Sequence, residues 1–367
     1  MLRLRNCALI FTVLAVLIGS SFLTSGLADS GANHQIRNLH FGVSGGNVND
    51  ETKRFCCSAT LGALVTDGTQ QYILSANHVL ARTDQAAPGE GISQPGLVDT
   101  NCQAGTIVAD FTVASPLGSN VDAAIAALRP GEMDSTGFIE DIGVPSSTTM
   151  APAVGLAVVK SGRTTGFTSG NISSINTSVK VQYQRECGKG RKFLVLYTNQ
   201  VVVVSNTFSA GGDSGSLILS DAGHNPVALL FAGSSNTTIA NPIVDVLQHL
   251  NAVSGRNLGF VGGGVPTDLP QLLETETQPQ LPGAGGQVRQ LPQQASDRAS
   301  AVLESHRPGL MSLPWVLGVG VGATAENDQE PSIVVFVDRG FPGRPEVAGK
   351  IDGVKVKVVH SDPFVAF

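Results

Sequence analysis

The chain of 367 residues holds one Trp, three Tyr and four Met, and only 14% of it is charged. So little charge argues against an acidic or basic disordered tail. The net charge is −6 and no basic stripe is present, so nucleic acid is not expected as a partner: phosphates are met by clustered Lys and Arg. A single long apolar run excludes a multipass membrane protein. The five cysteines include no Cys-x-x-Cys, and Cys56 and Cys57 are adjacent, a poor spacing for chelation. No metal and no other cofactor is expected. What the chain has in quantity is glycine, 43 residues, with 19 prolines and 42% hydrophobic residues. This predicts many turns between short elements, and the length predicts about two domains.

The apolar run stands first. Arg3 and Arg5 precede residues 7–18, CALIFTVLAVLI, and small or polar residues lead to Ala28. That is the layout of a secretory signal peptide over residues 1–28. An uncleaved anchor is the alternative, but a spanning helix needs about 20 apolar residues. The protein is therefore expected to be exported, secreted or periplasmic, with no membrane anchor after cleavage. Cys7 leaves with the leader, and Cys56, Cys57, Cys102 and Cys187 remain. An even number in an exported chain predicts one or two disulfides, with three pairings open.

After a lead segment, 29–54, residues 55–262 read as β-rich. Short runs of β-branched or apolar residues at 61–65, 72–75, 106–113, 156–159, 193–197, 201–204, 216–219 and 227–232 are mostly separated by Gly, Asn, Asp, Pro or Ser. This predicts an all-β sandwich or barrel. One helix is expected at 242–250, with Asn241 as its cap. Residues 263–297 are rich in Pro, Gln and Gly and read as a linker. Residues 298–367 read as a small α/β module: a helix at 298–306 ended by Pro308, Val319 and Val321 alternating with glycines, a strand at 333–337, and Val354, Val356 and Val358 alternating with lysines after an Asp352-Gly353 turn.

Three short stretches carry chemistry. Gly211-Gly212-Asp213-Ser214-Gly215-Ser216 places a Ser on a turn that glycine permits, with N–H groups free to face one concavity, as an oxyanion hole requires. A Ser needs a base to become a nucleophile. Of seven His, His78 alone follows an apolar strand that ends in small residues, 72–77. An acid must orient that imidazole, and Asp122 leads the apolar run 123–128, where its carboxylate is costly to bury unpaired. Taken singly, these are an ordinary turn, a packed His and a strand-leading Asp. Taken together, they stand in the order His78, Asp122, Ser214.

With ILSANHV, VDAAIAAL and GGDSGS, residues 55–255 resemble the chymotrypsin-like serine peptidases. Lys160-Ser161-Gly162-Arg163-Thr164-Thr165-Gly166 resembles a stretch of the bacterial α-lytic and streptogrisin-type subgroup. The resemblance implies an all-β, chymotrypsin-like double six-stranded β-barrel. It implies a triad of His78, Asp122 and Ser214, and an oxyanion hole from Gly212 and Ser214. It also implies an Arg163–Asp213 ion pair supporting the turn, so that trypsin-style N-terminal cleavage is not needed. Val79 stands where many members have Cys, so Cys57 must pair elsewhere or stay free. Phe208 falls at the base of the specificity pocket, followed by Ser209; no carboxylate is there to meet Lys or Arg, so a bias to small or medium apolar side chains is expected. Ala232, Gly233 and Ser234 are expected to form the edge that pairs with an extended peptide. The function implied is a serine endopeptidase acting on polypeptides. The alternative is an inactive barrel used as a binding module. An α/β-hydrolase is disfavoured because Ser216 breaks Gly-x-Ser-x-Gly. A purely adhesive β-protein leaves the three-residue constellation unexplained. The C-terminal module, in intramolecular contact with the barrel or apart from it, reads as a folding aid, an inhibitor or an adaptor.

Overall fold

A computed structural model describes residues 32–262, 289–325 and 327–366. The expected signal peptide and most of the expected linker lie outside these residues. The chain builds two β-barrels in tandem, then a helix and strands that join the second barrel's sheet.

The first barrel contains β1 (Val43–Asn47), β2 (Ala59–Leu61), β3 (Ala63–Thr66), β4 (Gln71–Ser75), β5 (Gly91–Gln94), β6 (Thr106–Ala114) and β7 (Ala124–Leu128), with the short helix α1 (Asn77–Leu80) after β4. The sheet runs β3-β4-β7-β6-β5-β1-β2. Only Gly62 separates β2 from β3, so the two ends of the sheet meet in one bent strand and the sheet closes as six strands. Leu64, Ile73, Leu74 and Ile125 are fully buried on its strands.

The second barrel contains β8 (Ala157–Lys160), β9 (Thr168–Asn171), β10 (Ser174–Glu186), β11 (Lys189–Val204), β12 (Leu217–Ser220), β13 (Pro226–Gly233) and β14 (Thr237–Pro242). The sheet runs β11-β14-β13-β12-β8-β9. Ser173 N donates to Val202 O at 2.8 Å, bringing the end of β9 back to β11. Val158, Val203, Phe208, Ile218 and Leu230 pack inside. The runs at 193–197 and 201–204 are one long strand, β11, paired with β10 in a hairpin that extends beyond the barrel. Strand β10 was missed in the sequence because polar residues occupy its exposed face.

Helix α2 (Ile243–Ser254) buries Ile243, Val246 and Leu250 at helical spacing, and β15 (Gly259–Phe260) returns to β3. Its N-cap is Pro242, not Asn241. The Asn241 side chain is taken up elsewhere, accepting from Asp122 N at 3.0 Å and donating to Gln200 Oε1 at 2.7 Å.

Helix α3 (Gln293–Met311) begins inside the segment read as linker and runs through Pro308 instead of stopping there. The proline costs only the bond to the Glu304 carbonyl, in the last turn. Strands β16 (Val316–Ala323), β17 (Pro331–Asp338), β18 (Lys350–Ile351), β19 (Val354–Ser361) and β20 (Phe364–Ala366) complete the chain. Ala299 and Leu303 pack on Val319, Val321, Ile333 and Val335. Strand β16 pairs antiparallel with β10, Val321 opposite Ile175 and Val319 opposite Ser178. The glycines of β16 allow that approach: a Cβ on Gly318 would come within 2.7 Å of Ser178 O, and one on Gly322 within 2.6 Å of Ser173 O.

Candidate active site

The cleft lies where the barrels meet. Strand β4 ends in small residues and α1 turns the chain back, placing His78 at the rim of the first barrel. Asn77 is fully buried; its amide donates to Asp84 Oδ1 at 2.6 Å and Ser115 O at 2.7 Å, clamping the loop that follows. Asp122, before β7, is 0% exposed. Its carboxylate faces His78 Nδ1 at 2.8 Å, and accepts from His78 N at 3.2 Å and from Tyr183 Oη at 2.7 Å. Tyr183 Oη lies 2.7 Å from Tyr197 Oη. Burial first, and then the negative charge of Asp122, push the Tyr183 phenol well above its ordinary range, so it stays a donor. Tyr183 and Tyr197 went unread in the sequence. Two of only three tyrosines standing on one hairpin was the available signal.

Ser214 stands on the turn between Gly212 and Gly215, whose φ values are +99° and +92°. The first barrel holds this turn directly. Thr60 N donates to Ser214 O at 2.9 Å, and Thr60 Oγ1 to Gly212 O at 3.0 Å. Gly62 packs against the Gly215 carbonyl so closely that no Cβ fits. The Ser214 hydroxyl is 0% exposed and donates to Phe231 O at 3.0 Å. Among the described residues, no acceptor meets the N–H groups of Gly212 and Ser214. His78 and Gly212 line one cavity of about 320 Å³, together with Asp50, Tyr183, Glu186 and Ala366. Burial pushes the Asp50 carboxyl up to about 6, against the opposing pull of Arg82 and His78.

The expected Arg163–Asp213 pair is corrected. Arg163 instead holds Asp99 in a fork, Nε–Oδ2 2.7 Å and Nη2–Oδ1 2.5 Å. Asp213 pairs with Lys160, Nζ–Oδ2 3.4 Å, both side chains 0% exposed. It also accepts from Thr164 N, Thr165 N, Thr165 Oγ1 and Ala210 N, at 2.9, 3.2, 2.7 and 2.9 Å. The reason is local. Lys160 ends β8 and points into the barrel beside Asp213, whereas Arg163 N is tied to Thr60 Oγ1 at 3.0 Å and its side chain leaves the turn. Burial lowers the proton affinity of Lys160, and Asp213 opposes the shift.

Phe208 is also corrected: it is 0% exposed and belongs to the second barrel's core, not to a pocket floor. Ser209 and Ser234 instead line a second cavity of about 410 Å³ with Ala210, Gly211 and Ser235. Ala232 and Gly233 end β13 at the cleft. The disulfides are Cys56–Cys102 and Cys57–Cys187; the second ties the first barrel to the β10–β11 hairpin. No helix of the described residues is long and apolar enough to cross a membrane.

No family model and no curated protein matches the sequence. Among solved structures the chain is similar to bacterial chymotrypsin-like serine proteases. One is a glutamic acid specific serine protease that uses a histidine triad in substrate binding, 23% identical over 60% of this chain and 100% of that one, TM-score 0.42. Thermobifida fusca Protease A is 19% identical over 61% and 99%, TM-score 0.41. Cellulomonas bogoriensis chymotrypsin is 19% identical over 61% and 99%, TM-score 0.41.

Proposed function

We propose that the protein is an exported serine endopeptidase that cuts peptide bonds through an acyl-enzyme on Ser214. The observation that carries the reading is the buried Asp122 carboxylate facing His78 Nδ1 at 2.8 Å, at the rim of the cleft into which the Ser214 turn is built. Ser214 Oγ attacks the scissile carbonyl and His78 Nε2 takes its proton. His78 then gives the proton to the departing amine, and water hydrolyses the ester by the same route in reverse. Asp122 holds the imidazole tautomer and stabilises the imidazolium. The N–H groups of Gly212 and Ser214 receive the oxyanion, each donor worth about 3–4 kcal/mol in the transition state. Two disulfides suit an oxidising compartment.

Ser209, Ala210 and Ser234 bring no charge to the second cavity; the carboxylate on its wall, Asp362, comes from the segment before β20 and accepts from Ser235 Oγ, and desolvating Lys or Arg without a barrel partner is costly. Small or medium apolar side chains before the cut are the preference this supports; fast cleavage after Lys or Arg overturns it. The test of the reaction is fluorophosphonate labelling of the folded protein beside Ser214→Ala. Labelling lost in the variant supports the reading. A second reading, a binding barrel without catalysis, draws on the Ser214 hydroxyl being buried and bonded to Phe231 O. It takes the lead if no folded form is labelled.

A further inference from the structure

The cleft edge is occupied by the chain itself. Strand β20 lies between β13 and β10, antiparallel to the first and parallel to the second. Val365 stands opposite Gly233, and Ala366 opposite Ala232. On the other side, Phe364 neighbours Val181 and Val365 neighbours Gln182. We propose that β20 is a built-in occupant of the peptide-binding edge, and that the C-terminal module holds the enzyme in a self-blocked state until this strand is displaced. The inference rests on the peptidase reading above.

Polarity supports it. From Val365 to Ala366 the strand runs back along β13 towards Phe231, the residue whose carbonyl accepts from Ser214 Oγ at 3.0 Å. A substrate's acyl side must approach the nucleophile in that direction. Ala366 shares the cavity wall with His78 and Gly212. Because β13 pairs with β14 on one edge and with β20 on the other, the segment 232–233 has no free main chain to offer another peptide.

The strand is also anchored. Phe364 is 1% exposed and meets Phe336 of β17 edge to face, with centroids 5.8 Å apart. The segment before it grips the loop that follows β13. Ser361 Oγ lies 2.7 Å from Ser234 Oγ, Ser235 Oγ donates to Asp362 Oδ2 at 2.5 Å, and Asn236 Nδ2 donates to His360 O at 3.1 Å. Strand β16 and helix α3 fix the module to β10: Arg307 Nη1 donates to Ser178 Oγ at 2.6 Å, and Lys180 Nζ to Met311 O at 2.8 Å. A strand tethered this way acts at an effective concentration of about millimolar, so it covers the edge even where the free peptide would bind weakly.

The test compares the full chain with a chain shortened to end at Pro363, and with the full-length Val365→Pro variant, which removes one main-chain donor from β20 without shortening it. Ser214→Ala versions serve as controls. The reading is the second-order rate of fluorophosphonate labelling. The expected result is labelling at least tenfold faster in the shortened chain, and faster in Val365→Pro than in the full chain. Equal rates in all three, with the Ser214→Ala controls silent, overturn the self-block and leave the peptidase reading standing. If the shortened chain does not fold, Val365→Pro decides by the same comparison. If no form is labelled while circular dichroism shows all of them folded, the peptidase reading fails and the inference falls with it.

Discussion

Replacing Lys160 by Met separates the two ways of holding the nucleophile turn. Lys160 and Asp213 are both fully buried, 3.4 Å apart. Removing one partner of such a pair leaves an uncompensated charge, which costs about 3–5 kcal/mol. Asp213 retains donors from Thr164 N, Thr165 N, Thr165 Oγ1 and Ala210 N, so the lower end, about 3 kcal/mol, is the expectation. At a urea slope of about 3 kcal/mol/M the unfolding midpoint falls by about 1 M. Arg163→Ala breaks a fork whose side chains are 12% and 7% exposed, leaving Asp99 the hydroxyl of Ser44 at 2.5 Å, and is expected to cost about 2–3 kcal/mol. Lys160→Met with Asp213→Asn removes both charges and should recover part of the loss; the coupling in that cycle measures the pair. Urea unfolding at pH 7 followed by tryptophan fluorescence and circular dichroism reads the parent, Lys160→Met, Asp213→Asn, their double variant and Arg163→Ala. A Lys160→Met shift below about 0.3 M, or no coupling between Lys160→Met and Asp213→Asn, refutes the assignment of Asp213's partner.

Two further outcomes concern residues that line the cleft, Tyr183 and Asp50. Tyr183→Phe removes one donor from the buried Asp122 carboxylate and the partner of Tyr197 Oη; urea unfolding should show a loss of about 2 kcal/mol, and an unchanged midpoint counts against the network. Asp50 has its carboxyl raised from 3.8 to about 6. The folded state therefore binds this proton more tightly than the unfolded chain does, and stability falls as pH rises from about 4 to 6. Asp50→Asn should match the parent at pH 4 and exceed it by on the order of 2 kcal/mol at pH 7.5. Parallel stability profiles for the two proteins across that range would contradict the burial of Asp50 beside Arg82 and His78.

Local signals carried the strands of both barrels. Runs such as 72–75 and 227–232 are short, apolar and bounded by turn residues, and they fold as β4 and β13. His78, Asp122 and the Ser214 turn are each ordinary alone, and their order along the chain is what marked them as candidates. The turn at Asp352-Gly353 likewise needs only a positive φ, 44° and 82° here, which the sequence announces. Polar strands were less legible. Residues 174–186 alternate around Lys, Gln and Arg, and become β10 only because β11 on one side and β16 on the other satisfy their main chain.

What the sequence determined by itself was chemistry: which side chains exist, which turns glycine permits, and which cysteines can oxidise. What only the tertiary structure decided was partnership. Arg163 and Lys160 stand three residues apart with the same charge, and a sequence cannot say which of them reaches Asp213 and which Asp99. Nor can it say that Cys57 joins Cys187 across the cleft, that Tyr183 donates to Asp122, or that β20 lies against Ala232 and Gly233. These contacts join residues far apart in the chain. Their free energy exists only once the barrels and the C-terminal strands have closed on one another and excluded water from between them.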